Sequence, residues 1–183
     1  MGYEVALAKA WEDLANLKAP KNLSVKFLAD EFSVDRESKK ILSLSCNIAA
    51  KDFVSILILH YLAQKVKGLP ASGNQWLTFK ELCGVEGYAQ AYRQRAIEPI
   101  IRKYGHHPDG FKEILNRLPG QLATGGDLSI VIEAFSGVSV LIKLWKQDDE
   151  FAPDANIYFD ASIKDIFCTE DIAVLAQIVA SQL

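Results

Sequence analysis

Three apolar runs in the last third of the chain, LSIVIEAFSG, VSVLIKLW and NIYFDAS, most constrain what it can fold into. They are rich in β-branched and aromatic residues and are joined by short connections. Parallel neighbours would need a crossover of about a dozen residues or more, so the spacing predicts an antiparallel meander. CTEDIAVLAQIVASQL follows, with Ile172, Leu175, Ala176, Val179 and Leu183 on one helical stripe. Thr169 is the expected N-cap, and Glu170 and Asp171 fall in the first turn, where the helix dipole favours negative charge.

The same reading runs back along the chain. Val5, Ala8, Trp11, Ala15 and Leu17 predict an amphipathic helix over 3–17. LSVKFLADEFSVDRESKKILSLS reads as one hairpin with DRESKK as its turn. NIAAKDFVSILILHYLAQKVKG is apolar around most of its surface, which predicts a helix central to the core. LPASGNQWLTFKEL reads as a loop into a short extended piece, Trp76 to Phe79. GYAQAYRQRAIEPIIRKYG predicts a helix with a bend or break before Pro99, which has no amide to donate. HPDGFKEILNRL is a further short helix, and LPGQLATGGD a surface loop. Antiparallel runs separated by helices make this an α+β chain with one antiparallel sheet, and residues 1–183 suit a single domain.

Composition narrows the function classes. A net charge of −3 gives no basic face for nucleic acid. No run approaches the ~20 apolar residues of a membrane span, and the N-terminal residues carry acids within their apolar pattern, unlike a signal peptide. The three cysteines, Cys46, Cys83 and Cys168, are widely spaced and include no C-x-x-C pair. That argues against a disulfide framework, a zinc knuckle and a self-contained iron–sulfur cluster, and reads as small buried fillers in a cytoplasmic protein.

Several residues could carry chemistry. LWKQDDEFAPDANIYFD packs Asp148, Asp149, Glu150 and Asp154 together and adds Asp160. The calcium-loop pattern fails there, since the sixth position from Asp148 is Pro153 rather than glycine. A looser cation site at Asp148, Glu150 and Asp154 stands against a solvated turn, in which Phe151 folds inward and Pro153 stiffens the loop. His60 lies in the most apolar helix, where a satisfied core histidine competes with an axial ligand or proton carrier. Trp76 and Phe79, with Tyr88 and Tyr92, would line an apolar pocket if they do not serve the core alone. Arg93, Arg95, Arg102 and Lys103 give one helix a basic side. No phosphate loop, dinucleotide fingerprint or esterase elbow is present.

ILILHYL, LPASGNQWLTFKELCGVEGY and LIKLWKQDDEFAPDANIYFDASIKDIFCTEDIAVL resemble, in that order, the recurring segments of domain-of-unknown-function family 3786. The resemblance spans roughly residues 25–183. Its specific part is a strand, a W-x-x-D-x-E-F-x-P turn, a strand with F-D, and T-E-D-I opening the last helix; Lys146 and Gln147 stand where Glu-Gly is common. The family implies no established activity. Its setting in anaerobes implies a link to corrinoid or iron–sulfur metabolism, which here would need a redox or corrinoid partner protein or a bound cofactor.

Two functions of different classes are expected. One is an accessory or binding domain for a small molecule or metallocofactor, with Trp76, Trp145, His60, Phe79, Asp149, Glu150 and Asp160 as its ligand-binding residues. The other is an enzyme using Asp149, Glu150 and Asp160 for acid–base or metal-assisted chemistry, which requires those carboxyls to converge. A third reading is a homo-oligomer joined through an exposed meander edge.

Overall fold

A computed structural model of the chain describes residues 3–73 and 75–183; Asn74, in the predicted loop, and the first two residues lie outside them. The order is α1 (Glu4–Asn16), β1 (Asn22–Phe27), β2 (Asp30–Asp35), β3 (Lys40–Ser43), α2 (Asp52–Lys67) and β4 (Trp76–Thr78), then α3 (Ala89–Tyr92), a π turn (Arg93–Ile97) and α4 (Glu98–Tyr104). β5 (Gly120–Leu122), β6 (Leu128–Phe135), β7 (Val138–Trp145), β8 (Asp154–Asp160) and α5 (Thr169–Gln182) complete it. The strands form one antiparallel sheet in the order β3-β2-β1-β6-β7-β8-β4, with β5 also against β6. The chain is therefore α+β, as the meander implied.

The predicted C-terminal meander is β6-β7-β8, and its register explains its stability. Ile132 pairs with Val140 and Val140 with Phe159; Ile130 pairs with Ile142 and Ile142 with Ile157. All of these side chains are fully buried. Period-two alternation thus sends one continuous apolar ladder to the core face, and a one-residue slip would expose the whole set. α2 covers this core with most of its circumference buried, which is why its sequence shows no clear polar face.

The region read as one hairpin is a three-stranded meander. The chain folds back at Leu28 and Ala29 as well as after Asp35, so that Val25 pairs with Phe32 and Val34 with Ile41. Leu28 takes a positive φ of 54°, a conformation a leucine rarely adopts, so side-chain alternation gave no sign of this turn. The N-terminal meander joins the rest of the sheet through one residue pair, Phe27 with Phe135, and a hydrogen bond from Leu28 N–H to Ala134 O at 2.8 Å. Phe27, Phe135 and Tyr61 of α2 stack in series with centroids 4.4 Å apart at each step.

Other expectations shift in detail. The break before Pro99 exists as the π turn, and Pro99 then sits in the first turn of α4, where its missing donor costs nothing. HPDGFKEILNRL winds as a 3₁₀ helix over Pro108–Asn116. The loop after it contains β5, which comes so close to β6 that a Cβ on Gly120 would lie 2.2 Å from Val131 O. Cys168, rather than Thr169, takes the N-cap position of α5, and Thr169 Oγ instead donates to Cys83 O at 2.7 Å. All three cysteines are exposed, so they are not core fillers. Among the described residues no helix is long and apolar enough to cross a membrane.

Candidate functional site

The sequence-predicted residues fall in separate places. Trp145 closes β7 opposite Asp154, with its indole beside Gly126, where a Cβ would meet it at 3.5 Å. Trp76 pairs with Asp160, at the other end of β8. The seven residues of β8 put roughly 20 Å between those ends. His60 lies on α2, bonded to α5. Asp149 and Glu150 are exposed in the β7–β8 turn. The carboxyls of Asp149, Glu150 and Asp160 are therefore not brought to one cleft.

The acidic turn is organised by its own backbone. Asp148 Oδ1 accepts from the amides of Glu150 at 2.9 Å and Phe151 at 2.7 Å, closing an Asx turn. Phe151 does not fold inward: 68% of its surface is exposed. Asp154 leaves the cluster to bind Arg93 Nη2 at 3.2 Å. Asp160 is 6% exposed and accepts from Ser72 Oγ, Gly73 N–H, and both the amide and hydroxyl of Ser162. Burial alone would raise its pKa, but the bonds from Ser162, Ser72 and Gly73 outweigh it and hold the carboxyl at about 2. Asp160 anchors the ends of two loops.

His60 Nδ1 lies 2.7 Å from Asp171 Oδ2, joining α2 to α5 at a hollow of about 460 Å³ that Cys168 also lines. The bond to Asp171 raises the His60 pKa against the opposing effect of burial. Burial first, and the adjacent Asp171 charge after it, raise the Cys168 thiol despite backbone donors at the helix start. A thiol pushed up in this way is a poor nucleophile at neutral pH, so the trio does not form an activated cysteine site. Among the described residues no group of three His, Cys, Asp or Glu is placed to hold a metal ion. His60, Asp171 and Cys168 therefore supply no ligand set for a metal ion or an iron–sulfur cluster.

Phe79 leads to a better-formed place. Thr78 and Glu81 make a reciprocal capping box that turns the chain out of β4, and this fixes Phe79 inward. Its ring stacks on Tyr92 with centroids 3.9 Å apart and planes within 3°. Tyr88, one helical turn before Tyr92, tilts against Phe79 at 6.3 Å. The Phe79–Tyr92 pair lines a cleft of about 470 Å³ between Thr78–Lys80, the α3–π-turn segment and the first residues of β8. Trp76 and Tyr88, two of the four aromatics expected together, are not part of that lining.

Tyr92 is only 6% exposed, and its hydroxyl has no hydrogen-bond partner among the described residues. Burial pushes its pKa far up, so the phenol stays protonated and is a donor. Arg93, the next residue, is committed: Nε binds Glu98 at 2.9 Å and Nη2 binds Asp154 at 3.2 Å. The guanidinium at the rim is thus already matched by two carboxylates. The π turn from Arg93 to Ile97 widens the helix beside the cleft, a distortion that recurs at functional sites.

The profile of the family described as Domain of unknown function (DUF3786) matches residues 10–182. The chain belongs to that family. No curated protein and no solved structure matches it. Membership agrees with the resemblance read from the W-x-x-D-x-E-F-x-P segment, and it adds no reaction. The family's specific turn, residues 145–153, is an Asx turn leading into β8, and none of its residues lines the cleft. Tyr92 had a sequence signal in the Tyr88–Tyr92 spacing beside Phe79. The bond from Arg93 to Asp154 had none, because the two are 61 residues apart.

Proposed function

We propose that this chain is a binding domain for a small organic molecule, and that the cleft over Tyr92 is its site. The observation that carries the reading is the buried Tyr92 hydroxyl without a partner. A buried hydroxyl left unpaired costs roughly 1–3 kcal/mol, so such groups are rare unless a ligand or water completes them. The cleft is concave and within the several-hundred-Å³ range of small-molecule sites, and its lining mixes Phe79, Tyr92 and Ile97 with polar side chains such as Gln90 and Asn156. The acid–base alternative draws no comparable support, since its carboxyls stand at opposite ends of β8.

Tyr92→Phe tests this directly. With no bond to lose, the variant is expected to melt at or above the wild-type temperature. Compounds from a small-molecule library that raise the wild-type melting temperature are expected to lose that effect in the variant. A Tyr92→Phe protein destabilised by about 1 kcal/mol or more would show that the hydroxyl already has a structural partner, and the reading would fall.

A further inference from the structure

Phe151, in the family's specific turn, is the most exposed Phe, Tyr or Trp among the described residues, and a braced backbone holds it there. Asp148 closes the turn from inside through the amides of Glu150 and Phe151. From outside, Gln147 N–H donates to Gly105 O at 3.4 Å. Pro153 also packs on Gly105, so closely that a Cβ there would lie 2.7 Å from Pro153 Cβ. A turn fixed at both ends does not fold its ring back onto its own surface. Asp149 and Glu150 precede the ring, both exposed and in no ion pair among the described residues.

A groove of complementary character lies between α1 and β3. Leu7 and Trp11 of α1, Ile41 of β3 and Ala50 give it a largely apolar lining around about 380 Å³. A benzene ring occupies a cavity of about 150 Å³, so one aromatic side chain fits with room for the backbone that carries it. Lys39 and Lys40 are the charged residues of the lining; both are exposed, and neither is in an ion pair among the described residues. Phe151 does not line this groove, and β2, β1 and β6 stand between β3 and β7 in the sheet. Within one chain the two features do not meet.

We propose that they meet between copies: Phe151 of one copy enters the α1–β3 groove of the next, with Asp149 and Glu150 against Lys39 and Lys40. An aromatic anchor in an apolar socket with a charged rim is the arrangement that concentrates binding energy at protein interfaces. Opposite charges at the rim fix the orientation, and the braced turn lowers the cost of ordering the anchor. Anchor and groove are different surfaces, so the contact is head-to-tail and each copy can give and receive at once. One ring and its rim bury far less than the ~1,200 Å² of a stable complex, so the association is weak and concentration-dependent.

Sedimentation of the full chain from ~20 µM to ~500 µM tests this, a range suited to a contact of transient size. The weight-average mass is expected to climb above the 20.3 kDa of one chain as concentration rises. Phe151→Ser removes the anchor, and Lys39→Glu with Lys40→Glu reverses the rim. All three positions are exposed, and amide spectra verify that both variants keep the fold. Each variant alone is expected to stay at the mass of one chain. An equal mixture of the two should form a 1:1 complex and nothing larger, since one intact anchor and one intact groove remain. A wild-type protein that stays at the mass of one chain throughout would overturn a second copy as the occupant. Association that survives in either variant, or a mixture that does not combine, would overturn the pairing of Phe151 with this groove.

Discussion

Asp160 stands at the far end of β8 from Asp154, with Ser72, Gly73 and Ser162 closed around its carboxylate. Its folded-state pKa of about 2 lies below the ordinary 3.8, so its contribution is complete above the unfolded value. That contribution is lost as pH falls from about 4 through about 2, and amounts to roughly 2 kcal/mol. Asp160→Asn should therefore destabilise the protein at neutral pH, with a difference from wild type that shrinks over that acid window. Chemical denaturation at pH 6 and pH 2.5 measures it, and an unchanged difference would refute the assignment. His60 has the opposite sign. Asp171 raises its pKa, with Asp13 adding to the rise and Lys9 of α1 opposing it. The stabilisation is complete below about pH 6.5 and is lost as pH climbs through the raised value. The penalty of Asp171→Asn should be larger at pH 5.5 than at pH 9; a penalty independent of pH would show that the pair acts as an ordinary hydrogen bond. Neither partner of these two carboxylates was legible in sequence. Ser72 is 88 residues from Asp160 and His60 is 111 from Asp171, and side-chain type alone does not tell a bonded acid from a catalytic one.

Elements with a full period of apolar residues were legible, and those fixed by a single dihedral or a distant partner were not. α2, α5 and β6–β8 could be read from their patterns, since burial sets which residues can occupy each face. The β1–β2 turn depends on Leu28 entering left-handed space, which no propensity flags. The C-terminal end of α5 shows another distant dependence. Its last turn contains no basic residue, yet its carbonyls and the negative end of its dipole need partners. Lys103 Nζ at 2.6 Å, Arg117 Nη2 at 3.1 Å and the Tyr104 hydroxyl all donate to Leu183 O. One oxygen with three donors stays satisfied when one is lost. Lys103→Met and Arg117→Met are each expected to cost less than about 1 kcal/mol, while the triple variant with Tyr104→Phe costs more than the three singles combined. Urea denaturation of the set decides it, since strictly additive losses would mean that the donors do not share one role.

The whole molecule is one sheet in topology but two separately paired blocks of strands in its connections. The sequence pointed to both blocks, because each is a local run of strands with its own alternation. It could not show how they meet, since Phe27 and Phe135 look like any other core aromatics. β6-β7-β8 is paired along its length, while β1-β2-β3 joins it through the Phe27–Phe135 pair and the Leu28 amide. Few backbone bonds cross that joint, so most of its strength is the aromatic stack running from Phe27 through Phe135 to Tyr61. Tyr61 fastens the stack from the helix side by donating to Ser136 O at 2.8 Å. A weak joint between two internally well-paired blocks predicts sub-global opening, in which the N-terminal strands detach and exchange together while the C-terminal strands stay closed. Native-state hydrogen exchange should therefore give residues 22–43 a common opening free energy below that of residues 128–159. Phe27→Leu removes stacking area at the joint without touching the β6–β8 register. It should lower protection across 22–43 by about 1–2 kcal/mol and leave 128–159 nearly unchanged at low denaturant. Equal protection in the two segments, or an equal loss in both, would mean that the sheet opens as a single unit and that the joint is no weaker than the strands it connects.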